Sequence, residues 1–275
     1  MLPKVSASIV LFKSNLEQLL EAVLSFQNSW PEGELYLIDN SPRAQLRMHF
    51  EGKPGIHYIF NNRNLGFGAA HNIAIRLSQQ NSSVYHLVLN PDVSFGKEVI
   101  PKIVSLMEVH PMVGLVMPKV LYPDGRIQHL CKLLPSPGIL FSRRFFAFWR
   151  KLLDRNNSVY ELKFSGYNRI MDVPCLSGCF MMLRNECLKK IGLFDEDIFL
   201  YTEDIDLTRR IHKQFRTVFY PEVSICHVHE RGSYKKLVPF ILHIRSAVTY
   251  FNKWGWFNDP ERDQINRLTL LRLNE

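Results

Sequence analysis

Apolar and polar positions change period repeatedly over the first 120 or so residues, and each change marks an element. Val5–Phe12 is a β-branched, apolar run bounded by polar residues, which predicts a buried strand. In Asn15–Phe26 the side chains Leu16, Leu19, Leu20, Val23 and Leu24 recur at helical spacing. Glu34–Asp39, Ile56–Phe60 and Tyr85–Leu89 read as strands, Ile73–Ser78 and Val99–His110 as helices, and Val113–Met117 as a further strand. Strands alternating with helices from the N-terminus predict a parallel sheet of right-handed βαβ units. Ligands bind beyond the carboxyl ends of the strands in such sheets. The residues delivered there are Asp39 and Asn40, then Asn64, Gly66 and Gly68, then Asn90 and Asp92.

Beyond Lys119 the pattern loosens. Pro123-Asp124-Gly125 is a turn, and 139–153 alternates aromatic and cationic blocks. A core pattern resumes over Asp172–Leu183, and Thr217–Tyr220 and Val223–His229 predict the last strands. From Tyr234 onward the chain reads helical. This divides it into one α/β domain over 1–232 and a C-terminal helical extension over 233–275 that faces a membrane or a partner.

Composition narrows the class. The formal net charge of +8 points to an anionic partner, whether phosphate, nucleic acid or an acidic membrane surface. Five irregularly spaced cysteines (Cys131, Cys175, Cys179, Cys187, Cys226) make neither a disulfide framework nor a zinc pattern, which favours reduced thiols in a cytoplasmic protein. The first apolar run is too short for a signal peptide, and no stretch reaches the ~18 apolar residues of a membrane span. A soluble or peripheral protein is expected. In 139–153, Arg143, Arg144, Arg150 and Lys151 suit anionic headgroups, with Phe145, Phe146, Phe148 and Trp149 suited to the interface; a core-packed helix with solvated charges fits equally.

Candidate chemistry concentrates in a few places. Glu203, Asp204 and Asp206 follow Thr202, a good helix N-cap, so they either complement the helix dipole or supply a general base. Asp92, directly after an apolar strand, is either a turn cap or a carboxylate for a divalent cation shared with phosphate. His227 and His229, two apart on a predicted strand, share one face and are structural, solvent-facing or metal-binding; imidazole tilts an open site towards Mn²⁺. Gly66 and Gly68 lack the spacing of a dinucleotide fingerprint, and make either a tight turn or a close approach to phosphate or sugar. No Ser-His-Asp or Cys-His spacing supports covalent catalysis at the Ser177–Cys179 turn.

Taken in order, these pieces resemble family 2 glycosyltransferases of the GT-A fold, in particular bacterial rhamnosyltransferase-like members that build O-antigen and cell-wall polysaccharides. The resemblance rests on IDNS (38–41), NLGFGAAHNIAI (64–75), LNPD (89–92), SGCFMMLR (177–184), GLFDEDIFLYTEDIDLTRR (192–210) and the histidine after YPEVSIC, and covers roughly residues 5–230. It implies a GT-A sheet flanked by helices and binding of a nucleotide-diphosphate sugar, with Phe12, Asp39, Asn40, Asn64, Gly66, Gly68, Asn72, Asn90, Asp92, Ser177 and Gly178 around the donor. It also implies Mg²⁺ or Mn²⁺ on Asp92 and His227 with His229 as the fallback, Asp204 as catalytic base, and Glu203 binding acceptor or positioning the base. Asn90 replaces the first acid of the family's DxD motif, leaving fewer charges for the metal. The implied reaction is a direct, inverting displacement. The implied acceptor is a saccharide, free or linked to polyprenyl diphosphate, at the cytoplasmic face of the inner membrane.

The implied donor is dTDP-L-rhamnose, with UDP-hexose or UDP-N-acetylhexosamine as the alternative. A nucleotidyltransferase would need a Gly-rich basic loop after the first strand, where the chain reads Lys13-Ser14-Asn15-Leu16. A non-catalytic anion-binding module is the other rival. Nucleic acid is not an expected partner, because no recognition signature is present and the acids at 203–206 would repel a polyanion.

Overall fold

The computed structural model describes residues 2–140, 157–228 and 237–274. In chain order the elements are β1 (Val5–Leu11), α1 (Leu16–Ser29), β2 (Glu34–Asp39), α2 (Arg47–Phe50), β3 (Ile56–Phe60), α3 (Phe67–Gln80), β4 (Tyr85–Leu89), β5 (Val93–Phe95), α4 (Val99–Val109) and β6 (Val113–Leu121). They continue with β7 (Met171–Asp172), β8 (Phe180–Arg184), α5 (Asn185–Ile191), α6 (Glu203–His212), β9 (Arg216–His227), α7 (Leu237–Trp254) and α8 (Pro260–Asn274).

The strands form one mixed sheet in the order β3-β2-β1-β4-β8-β6-β9-β5, with β7 also on β9. β3, β2, β1 and β4 run parallel, and β8 is inserted antiparallel between β4 and β6. The longest ladder, β6 with β9, is parallel again. β1 is buried on both faces, as a central parallel strand must be. Its odd positions Val5, Ala7, Ile9 and Leu11 join the main core with Leu19, Ala22 and Phe26 of α1. Its even positions Ser6 and Ser8 face α3 and bond to Ser78, His86 and His71. Helices therefore cover both faces, α1 against α4 on one and α3 with α6 on the other.

One expectation changes. Thr217–Tyr220 and Val223–His229 are parts of one strand, β9, which ends at His227. Its pairing with β6 is irregular between Tyr220 and Ser224, opposite Pro118 and Lys119. Pro118 and Pro221 both lack an N–H there, so the strand bulges instead of ending. Near the C-terminal end, α7 and α8 are fastened to α6. Arg209 of α6, almost fully buried, makes a two-pronged contact with Asp259 (2.7 Å twice), and its guanidinium lies 4.0 Å from the Trp254 ring centroid. Fully buried Asp206 receives Arg210, Lys253 and the Trp254 indole N–H. Among the described residues no helix is long and apolar enough to cross a membrane. The segment 141–153 lies outside the described residues.

Candidate active site

The carboxyl ends of the strands open into a cleft of about 740 Å³ lined by Phe12, Lys13, Asn40, Asn64, Gly66, Phe67, Asn90, Asp92, Phe199 and Leu200 among others. At one end Asp92 and His227 meet, with Asp92 Oδ1 3.4 Å from His227 Nε2. Ladder register brings them together: Val93 pairs with His227, and Val228 N–H donates to Asp92 O (2.9 Å). Gln128 fixes the ring. Its amide nitrogen donates to the carbonyls of His227 (2.8 Å) and Leu121 (3.3 Å), so its Oε1 accepts from His227 Nδ1 (3.0 Å). In the neutral ring the proton is therefore on Nδ1, and the Nε2 lone pair faces a carboxylate oxygen. Two acceptors turned on each other suit a shared divalent cation, so this pair fits the metal site implied by the sequence. No group of three or more His, Cys, Asp or Glu side chains that could hold a metal exists among the described residues, so further ligands would come from the diphosphate or water. His229 lies outside the described residues.

Along the donor wall the implied residues divide. Asn40 accepts from Asn61 (2.9 Å) and donates to Gly66 O (3.0 Å) and Asn64 (3.3 Å), which knits the ends of β2 and β3 to the head of α3. Phe12, half exposed, projects into the cleft. Asn90 follows β4, and its N–H donates to Cys179 O (3.0 Å). Asp39 is 1% exposed and beneath the floor: one oxygen accepts from Ser41 N–H (2.8 Å), the other from the Tyr58 hydroxyl. Asn72 is turned away from the cleft. It donates to Phe194 O and Glu196 and accepts from Phe194 N–H, which ties the 194–196 loop to α3. Both are supports of the wall, not part of its lining.

The glycines make that closure possible. Gly66 has φ +87°, and a Cβ there would come within 2.5 Å of Phe199 O, the acceptor of Phe67 N–H (3.0 Å). A Cβ at Gly68 would meet Phe194 Cβ at 2.8 Å. Both glycines thus sit at close backbone approaches, and Gly66 also lines the cleft.

Phe199 and Leu200 line the cleft, and a few residues further along the chain comes the head of α6, which is not itself among the lining. Thr202 caps it through its carbonyl and sends its hydroxyl to Ser246 O (3.1 Å) rather than back onto the helix. Asp204, half-buried, accepts from the Gly178 N–H (3.0 Å) and the Ile205 N–H (2.8 Å). Gly178 sits close beneath Phe67, which lines the cleft, and the neighbouring Ser177 hydroxyl caps Cys179 N–H (3.4 Å). Burial raises the pKa of Asp204, and the charge of Lys132 works against that rise. Glu203 is buried, and burial followed by the charge of Asp204 pushes it up to about 8. Burial pushes the Cys179 thiol up to about 12, with both Asp92 and Asp204 adding to the rise, so it is no nucleophile. Gly178 N–H donates to Asp204 and the adjacent Cys179 O accepts from Asn90 N–H, so both acids lie near this turn. Gln128 carries no motif of its own; only the pairing of distant segments reveals it.

Comparison with known proteins decides the class. A model of the glycosyltransferase-like family 2 matches residues 3–239. The chain belongs to this family. It is a glycosyltransferase. It is 26% identical over 250 residues, 85% of its own length and 78% of the relative's, to an N-acetylglucosaminyl-diphospho-decaprenol L-rhamnosyltransferase of Mycobacterium tuberculosis. It is 26% identical over 183 residues, 66% of its length and 54% of the relative's, to the low-salt glycan biosynthesis hexosyltransferase Agl10 of Haloferax volcanii. Its fold is that of GalNAc-T7 solved with UDP, GalNAc and Mn²⁺ (TM-score 0.62, 15% identity, 83% of this chain and 44% of that one). It is equally that of S. aureus TarS (TM-score 0.58, 17% identity, 97% of this chain and 43% of that one). The chain thus spans less than half of each of these solved chains. These likenesses show that the glycosyltransferase has the GT-A fold.

Proposed function

We propose that this glycosyltransferase is an inverting hexosyltransferase that moves L-rhamnose from dTDP-L-rhamnose onto a hydroxyl of a lipid-linked, growing cell-surface saccharide. The observation that supports the mechanism is that Asp92 meets His227 while Asp204 is held by Gly178, next to the Cys179 whose carbonyl accepts from Asn90. The likeness to the mycobacterial rhamnosyltransferase carries the choice of sugar and of a polyprenyl-diphosphate acceptor.

In this reading the nucleotide lies along Phe12, Asn40, Asn64 and Gly66, with Asn90 and Asp92 nearest the diphosphate. Asp92 and His227 hold Mg²⁺ or Mn²⁺, which when bound neutralises charge on the leaving diphosphate. Asp204 takes the proton of the acceptor hydroxyl as that oxygen bonds to the anomeric carbon. The bond from that carbon to the diphosphate oxygen breaks on the opposite face, and its electron pair leaves with the nucleoside diphosphate. The cleft walls position the two substrates and exclude water. Residues 1–232 are the catalytic domain and 233–275 its helical extension. The net charge of +8 suits a cytoplasmic enzyme resting on the anionic inner-membrane surface.

A thermal-shift screen of dTDP-L-rhamnose, UDP-hexoses, UDP-N-acetylhexosamines and GDP-mannose with Mn²⁺ tests the donor. Saturating dTDP-L-rhamnose at a hundred times its Kd adds about 2.7 kcal/mol of stability. A shift with a UDP-sugar alone moves the assignment to the hexose alternative, and a shift with GDP-mannose alone overturns it.

A further inference from the structure

Among the described residues that line the cleft, the side chains with a formal charge are Asp92 and Lys13. Lys13 stands two positions beyond the end of β1 and is exposed. Its Nζ lies 5.7 Å from the ring centroid of Phe12, which lines the same cleft. On a wall whose amides are bonded to one another, it makes no ion pair among the described residues. The backbone supplies a second observation. Lys13 has φ +53°, in the left-handed region that glycine or asparagine enters readily and lysine only under strain. The turn is nevertheless built to hold it there. Lys13 N–H donates to the buried Ser41 hydroxyl (3.0 Å), Ser41 N–H donates to Asp39 Oδ1 (2.8 Å), and Tyr58 closes on the other Asp39 oxygen. Asn40 N–H donates to Leu11 O (2.8 Å), which locks the ends of β1 and β2 beside it. Glycine would make this turn with less strain, so the lysine is explained by what its side chain meets and not by the fold.

Charge says what that is. In the proposed reaction Asp92 and neutral His227 take a divalent cation, which leaves a single net positive charge at that end, and Asn90 adds none. A nucleoside-diphosphate sugar brings one negative charge on each phosphate, so one stays unmatched, and Lys13 is the cation facing the same cavity. We propose that Lys13 is a donor-binding residue whose ammonium contacts the diphosphate of the sugar nucleotide, presented by the strained turn that Ser41 and Asp39 fasten. The inference rests on the cleft being the donor site, but not on which base or sugar the donor carries.

The test is isothermal titration calorimetry of the full-length protein with dTDP, UDP and GDP in the presence of Mn²⁺. Lys13→Met carries the same backbone strain without the charge, and Lys13→Gln serves as a second neutral variant should the first unfold. The neutral variant is expected to bind the preferred diphosphate ~10-fold more weakly, the lower end for a hydrogen bond to a charged group, and Lys13→Arg to recover most of that loss. The gap is expected to narrow as salt is raised, because the ammonium is exposed. The matching nucleoside, which lacks phosphate, is expected to bind wild type and variant alike. Unchanged diphosphate affinity in the neutral variant, or an equal loss with the bare nucleoside, overturns the proposal. Binding of none of the three diphosphates to the wild type overturns it as well, together with the donor cleft. The rhamnose reading fails separately: UDP or GDP would then bind in place of dTDP, and the Lys13 deficit would be read with that nucleotide.

Discussion

Along the wall built by β1, β2 and the head of α3, most polar side chains are already bonded to another part of the chain. At the head of α6, by contrast, two carboxyls lie together in a site that favours charge on neither. Asn40, Asn61, Asn64 and Gly66 form a closed network, and Asp39 has both oxygens engaged. Glu203 keeps a buried oxygen without a partner among the described residues. The binding half is satisfied before any ligand arrives. The half proposed to be reactive holds its acids in unfavourable electrostatics, and what restrains it lies behind α6: buried Arg209 and Asp206 join the helix to Tyr250, Lys253, Trp254, Asp259 and Glu261. Pre-organisation thus comes from sheet register on one side and from an ion network on the other.

The contrast can be broken at the reactive side first. Asp204→Asn is expected to lower kcat by ~10²–10⁴-fold with the donor KM little changed, because a lost general base affects the transition state and not donor binding. Steady-state kinetics at saturating donor reads this directly. Asp259→Asn leaves the buried Arg209 charge short of its main partner and should cost about 3–5 kcal/mol in denaturant unfolding. On the binding side, Gln128→Leu leaves Asp92 and His227 in place but releases the ring. Mn²⁺ affinity by calorimetry should weaken by ~10–100-fold, the usual effect of removing a support from a ligating histidine.

The smallest effect is on stability against pH. Glu203 moves from 4.5 to about 8 on folding, so its contribution is fully present below 4.5 and is lost as pH rises towards 8. Glu203→Gln removes that loss. The variant should gain on the wild type between pH 5 and 8, by more than about 1.4 kcal/mol at the upper end. Equal pH dependence of the two in urea titrations would show that the reactive side is not electrostatically strained.

Much of this was legible from residue pattern. β2, β3 and β4 begin and end where alternation and apolar runs place them; β2 and β4 are central parallel strands buried on both faces, and β3 is a half-buried edge strand. Asp92, Asp204 and His227 were visible as residue types at element ends. What pattern could not carry was the partner of each side chain. Asn72 is a lining residue by resemblance, yet its amide is consumed by Phe194 and Glu196, more than 120 positions away. Asp39 stands where expected, but Tyr58 and Ser41 close over it. Gln128 lies in a stretch with no periodicity, and its hold on His227 arises from β9. The bulge of β9 was read as a chain break because proline interrupts strands and bulges alike.

Because β5 and β9 are neighbouring rungs, zipping that edge seats the carboxylate and the imidazole together, with no loop consulted. Slippage by one residue would swing His227 to the far face and abolish the pair at a stroke. The meeting of these two side chains is therefore inherited with the backbone itself, as part of the same hydrogen-bonded edge that builds the sheet.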